Sequence, residues 1–174
     1  LPSRNGKTIS DLIAKHVLKW IEPNFIKYSW LDRGSDERQY CAPGIDLPIA
    51  SILRSKYGSY PEYHTSLDNL EQVVTPKGLD GGYWAIRKAI DAIEKNKKYQ
   101  VTVLCEPQMS KRNLYPTLSR NNLQKETKLM MDFLSLCDGK TSLLDIAEIL
   151  NLPIWDLYEI VNELKNHNLI RISE

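Results

Sequence analysis

Two residues stand in settings suited to chemistry. Asp36 lies in the polar run Gly34-Ser35-Asp36-Glu37-Arg38, directly after an aromatic-rich stretch at residues 25–31 that reads as a strand. His64 lies in Tyr60-Pro61-Glu62-Tyr63-His64-Thr65-Ser66-Leu67-Asp68. Carboxylate and imidazole are usual ligands of catalytic zinc, and hydrolytic sites commonly pair two ions ~3.5–4 Å apart. In an α/β sheet such ligands sit on loops at strand C-termini, and Asp36 fits that placement. Spacing alone decides little. A lone Asp and a lone His 28 positions apart also read as a surface carboxylate and a structural histidine.

Elements must hold these two loops in place. Residues 8–20 carry Ile9, Leu12, Ile13, Val17 and Trp20 at helical spacing. Thr8 with Asp11 three residues later forms a capping-box signature, and Pro23 closes the segment. His16 falls on the apolar face of that helix, so it reads as a packed structural histidine. Residues 47–53 are short and mostly apolar, as in a buried strand. Thr75-Pro76 opens a long helix to about Asn96, with Leu79, Tyr83, Ile86, Ile90 and Ile93 on one face. Gly81-Gly82 within it implies close packing or a later start. Residues 99–104 are a further strand candidate, and residues 106–119 read as an ordered connector. The order helix, strand, strand, helix, strand predicts an α/β fold, a mixed sheet with flanking helices.

Beyond residue 120 the pattern changes. Residues 123–137 form one helix, closed by Asp138-Gly139. Ser142 with Asp145 caps a second, with Leu143, Ile146, Ala147 and Leu150 apolar. Pro153 opens a third, and residues 168–172 end as a strand. Three helices, the last two tightly joined, and a strand make a winged helix-turn-helix pattern. The predicted organisation is therefore an α/β part over 1–98, a strand and connector over 99–120, and a winged helix over 121–174.

Composition supports that division. The chain has 174 residues, 42% hydrophobic and 26% charged, enough apolar content for a core in one domain or two small ones. The net charge of +1 divides unevenly, +5 over residues 1–120 and −4 over 121–174. Cys41, Cys105 and Cys137 are odd in number and widely spaced, which argues against a disulfide framework and suits a reducing cytoplasm. No apolar run reaches the ~20 residues of a membrane span, and no signal peptide is visible. No phosphate loop, dinucleotide fingerprint or nucleophile elbow is present. Lys111-Arg112 and residues 95–98 are basic clusters that read as solvated surface.

Ser35-Asp36-Glu37 followed by Tyr40 resembles the S-D-H-x-x-F segment of di-zinc aminopeptidases, the group with bacterial leucyl aminopeptidases and glutamate carboxypeptidases. Tyr63-His64-Thr65 with Asp68 resembles that family's Y-H-T-x-x-D segment. Residues 35–51, 60–70, and Glu106-Pro107-Gln108 with Leu114-Tyr115-Pro116-Thr117-Leu118-Ser119 look like an uncharacterised bacterial subgroup. Many members of that subgroup are associated with surface-polysaccharide loci and end in a winged helix. The resemblance implies that Asp36 and His64 each hold one zinc. It implies no catalytic residue in this chain, because the general-base Glu and the remaining ligands belong upstream of the Asp segment. Only 35 residues precede Asp36, and the chain starts at Leu1, so it reads as a C-terminal part that is inactive alone. The family's His after the Asp is Glu37 here.

Further roles follow from the same resemblance. Asp68 would orient a metal-bound ligand, or cap a turn. Tyr60 and Tyr63 would line the pocket, or pack. Arg38 would meet a substrate carboxylate, or a surface partner. The implied substrate is a peptide or amide. In the winged helix, the candidate reading helix carries Asp156, Glu159 and Glu163 against Lys165. That charge predicts a protein partner or a homodimer rather than DNA.

Overall fold

A computed structural model describes residues 1–112, 114 and 121–173. The described chain forms two compact units, Leu1–Ile93 and Glu94–Glu174. Most of the connector motif at residues 114–119, and the change of pattern at residue 120, lie outside the described residues.

In the first unit, helix α1 spans Ile9–Ile21. Its start is the capping box read from Thr8 and Asp11. The Asp11 N–H donates to Thr8 Oγ1 at 3.4 Å, and the Thr8 N–H donates to Asp11 Oδ2 at 2.9 Å. Asp11 is itself buried, and it also accepts from the Ser3 N–H at 2.7 Å and the Ser3 hydroxyl at 2.6 Å. Ile13, His16 and Val17 are buried on one face, as the helical spacing requires, while Ile9 and Leu12 of the same apolar set remain exposed.

The two strands expected at residues 25–31 and 47–53 do not form. A β-ladder needs two backbones: the first segment pairs with none among the described residues, and the second pairs only at Ser51, which exchanges two backbone hydrogen bonds with Leu1, each 2.9 Å, too few for a strand. The first ends instead in a 3-10 turn, Trp30–Asp32, capped by Ser29, whose N–H donates to Asp32 Oδ2 at 2.8 Å. Leu31 is left 80% exposed. The second is held by turns, with the Leu47 N–H donating to the Tyr40 carbonyl and the Ile49 N–H to the Leu47 carbonyl. Between them, the run expected as a polar loop winds into one turn of helix, α2, Glu37–Tyr40.

Helix α3 spans Pro76–Lys95, and Thr75 Oγ1 accepts from the Gly78 N–H at 3.1 Å at its start. The division between units falls in its last turn. Its apolar stripe does not face a core. Leu79 and Tyr83 are 60% exposed, Ile86, Ile90 and Ile93 are exposed as well, and only Ala85 and Ala92 are buried. The helix runs through Gly81-Gly82 with no later start, and only the first is closely packed: a Cβ on Gly81 would lie 3.3 Å from Nη1 of Arg54, whereas one on Gly82 would stand 3.9 Å from its Cγ, an ordinary contact.

The second unit carries the sheet. Strand β1, Lys98–Val101, lies between β2, Asp138–Ser142, and β3, Ile170–Ile172, and both pairings are antiparallel. Tyr99 pairs with Ile172 and Val101 with Ile170, and a bulge interrupts the β1–β2 ladder between Lys98 and Gln100. Helix α4 is Asn121–Leu136, α5 is Leu143–Leu150 and α6 is Tyr158–Asn166. Ser142 caps α5 as expected, accepting from the Asp145 N–H at 3.2 Å. Pro153 opens a 3-10 turn, Ile154–Leu157, which leads into α6. Helix α4 closes just before Asp138-Gly139, as expected, and those two residues begin β2, with Gly139 at φ +78°. Phe133, Ile146, Ile154, Leu157 and Leu164 are wholly buried and form the core of this unit. The architecture is thus a mixed α/β chain with a small three-stranded sheet, ending in a winged helix.

Candidate functional site

Asp36 precedes α2 at the surface. Its carboxylate caps nothing and makes no hydrogen bond among the described residues. The turn that carries it is fixed from beneath by its neighbour. Glu37 is buried, and its Oε1 accepts from the Gly34 N–H at 3.0 Å, the Ser35 N–H at 3.2 Å and the Tyr57 hydroxyl at 2.5 Å. Burial alone would raise the Glu37 carboxyl. The hydrogen bonds from Tyr57, Gly34 and Ser35 outweigh it and bring the group down to about 2. Tyr57 moves the other way, pushed up to about 12 by burial and by the Glu37 carboxylate.

His64 lies in a series of turns between Tyr60 and Asp68. Its backbone is left-handed, φ +61°, a region few non-glycine residues enter and one where strain gathers at functional sites. Its imidazole is exposed and stacks on Tyr63, ring centroids 4.0 Å apart. Tyr63 in turn meets Tyr60 edge-on at 5.7 Å. The Tyr60 hydroxyl donates to Asp68 Oδ2 at 2.9 Å, and this bond raises the hydroxyl above its ordinary value. The structure therefore brings four predicted residues, Tyr60, Tyr63, His64 and Asp68, into one contact chain. Arg38 follows Asp36 on α2, is exposed, and has no ion pair among the described residues.

A cavity of about 920 Å³ opens in the same unit. It lies among α1, residues 24–28, residues 50–60 and the start of α3, with Phe25, Tyr28, Ile52 and Trp84 in its wall and Arg54 and Lys56 beside them. Of the predicted site residues Tyr60 lines it; Asp36, Arg38, Tyr63, His64 and Asp68 do not.

Sequence reasoning passed over Glu37 and Tyr57 as a pair. One signal was visible: a Glu at the position where the aminopeptidase motif carries His. Nothing in the spacing pointed to Tyr57.

As donors for a metal, Asp36 and His64 fit in kind. One is a carboxylate and the other an imidazole, both exposed and neither hydrogen-bonded among the described residues. They fit as part of a site, since catalytic zinc takes about three protein ligands, and no group of three or more His, Cys, Asp or Glu gathers among the described residues.

Residues 1–96 match a protein family, DUF4910, described as a domain of unknown function. The chain belongs to the DUF4910 family. In this member the DUF4910 region is followed at residues 97–172 by a match to a winged helix-turn-helix. A relative from Clostridium acetobutylicum, described as a "Putative polysaccharide biosynthesis protein with aminopeptidase-like domain", is 38% identical over 144 residues, 82% of this chain and 33% of the relative. A crystal structure from the same organism, described as a "putative peptidase", superposes with a TM-score of 0.81 at 32% identity, over 98% of this chain and 37% of that one. The DUF4910 chain thus spans about a third of the length of the proteins it matches.

Proposed function

We propose that this chain is part of an aminopeptidase-like hydrolase that cleaves a peptide or amide bond. Similarity over nearly its whole length to a protein described as a "putative peptidase" supports the scaffold. One observation carries the site. Asp36 and His64, the two residues of the aminopeptidase-like motifs, stand exposed with side chains unbonded among the described residues, and Glu37 beside Asp36 accepts from Tyr57 in the segment that leads to the His64 turns.

In this reading Asp36 and His64 are zinc donors, with the rest of the ligand set supplied elsewhere in a longer protein. Bound zinc would polarise the scissile carbonyl and lower the pKa of a water. Asp68 and Tyr63 set the orientation of the His64 turn, the first through Tyr60 and the second by stacking. Arg38 is the candidate contact for a substrate carboxylate. No residue of this chain is assigned as the general base. Elemental analysis of the full-length protein tests the proposal, together with hydrolysis of aminoacyl amides. Bound zinc that Asp36→Ala and His64→Ala both lose is the expected result. A full-length protein with no bound metal, whose hydrolysis ignores both substitutions, defeats it and leaves a scaffold without chemistry.

A second reading concerns the winged helix. Asp156, Glu159 and Glu163 are exposed on or just before α6, against Lys165. Such a face repels phosphate, so we propose a protein partner or a second copy of the chain as its contact. Salt-dependent binding to duplex DNA would defeat that reading. The three thiols are free, which suits a cytoplasmic location, and no described helix is long and apolar enough to cross a membrane.

A further inference from the structure

Tyr57 belongs to neither ligand motif, yet it stands between them. Its hydroxyl has one proton to give. Glu37 Oε1 takes it at 2.5 Å, with the Asp32 carbonyl a more distant neighbour at 3.3 Å. The same carboxylate oxygen accepts the N–H groups of Gly34 and Ser35. One oxygen therefore gathers two donors from the turn before Asp36 and one from the segment that leads into the His64 turn. That segment continues directly: three residues on, Tyr60 bonds Asp68, and the rings of Tyr60, Tyr63 and His64 stand in contact. The Tyr57 ring also lies flush against Gly34, where a side chain would collide with it.

We propose that Glu37 and Tyr57 are positioning residues whose hydrogen bond ties the Asp36 turn to the His64 turn and sets how the two candidate ligands are presented. The proposal rests on the metal-ligand reading above. Glu37 is buried and its Oε1 already holds three donors, which suits it to position the turn. A tie of this kind works through an acceptor oxygen more than through charge. Glu37→Gln keeps such an oxygen, Glu37→Ala removes it, and Tyr57→Phe removes the donor while keeping the ring.

The test is residue-resolved amide exchange on the metal-free full-length protein, with a thermal melt to confirm that each variant is folded. A lost hydrogen bond to a buried carboxylate predicts exchange faster by about tenfold to a hundredfold. In Tyr57→Phe and Glu37→Ala that acceleration is expected at Gly34 and Ser35 and at residues 60–68 together, and Glu37→Gln restores most of the protection. Acceleration confined to one turn, or absent from both, overturns the tie. Titration with Zn²⁺ alone, against a coloured chelator, supplies the second readout. Tyr57→Phe is expected to weaken zinc binding ~10–100-fold, as loss of an orienting partner does. Coupled exchange with unchanged zinc affinity overturns the positioning role. A wild-type protein that binds no zinc at all defeats the metal reading instead, and exchange alone then decides the tie.

Discussion

Gly34 and Tyr57 approach so closely that a Cβ on the first would lie 2.6 Å from Cε2 of the second. No real contact is that short, so any side chain at position 34 must displace the ring. The ring is pinned by its hydroxyl on Glu37, and Lys56 lies over its face with Nζ 4.5 Å from the centroid. Gly34→Ala is therefore expected to cost about 1–3 kcal/mol by overpacking. Chemical denaturation of wild type and variant measures it, and an unchanged midpoint would contradict the packing described.

Asp36→Ala and His64→Ala should behave in the opposite way. Both side chains are exposed and neither carries a hydrogen bond among the described residues, so stability should move by no more than ~0.5 kcal/mol. Zinc affinity of the full-length protein should fall by more than the ~10–100-fold lost with an orienting partner. Melting curves and metal titrations on the same samples separate the two effects.

Asp11 links stability to pH. Burial by itself would raise its carboxyl, but hydrogen bonds from Ser3 and Thr8 hold it below its usual 3.8. A group depressed in the folded state stabilises fully above its unfolded pKa, and that contribution is lost as pH falls through the folded value. Unfolding free energy should therefore decline below about pH 4 in wild type, and Asp11→Asn should flatten that decline. Asp11→Ala leaves the Ser3 and Thr8 donors without their acceptor and should cost about 2–3 kcal/mol at neutral pH.

Phe133 anchors the second unit. It is fully buried, with Tyr99 of β1 at a ring-centroid distance of 6.5 Å. Phe133→Ala should cost about 3–5 kcal/mol through lost burial and the cavity left behind. Denaturant unfolding measures the loss, and a value below ~1 kcal/mol would show that the site collapses to fill the space.

Local signals carried through to structure and long-range ones did not. The caps at Thr8 and Ser142 mark real helix starts because each motif closes within four residues. The winged helix was legible for the same reason, since its helices repeat at short spacing. Residues 25–31 and 47–53 have strand-like composition, but a ladder depends on a second backbone that composition does not reveal. The stripe on α3 was read correctly as apolar, and its exposure was not readable from periodicity, which marks a face without naming what covers it. At the candidate site, Asp36 and His64 were found through flanking motifs. The Glu37–Tyr57 bond spans twenty positions and two turns, where no periodicity operates.

The exposed stripe of α3 has a practical consequence. Leu79, Tyr83, Ile86, Ile90 and Ile93 offer water a continuous greasy ridge, and large exposed apolar surfaces drive molecules together. Solutions of this chain by itself should bind hydrophobic dyes and cloud as concentration rises. What limits its handling in the laboratory will be colloidal behaviour, well before any melting of its helices.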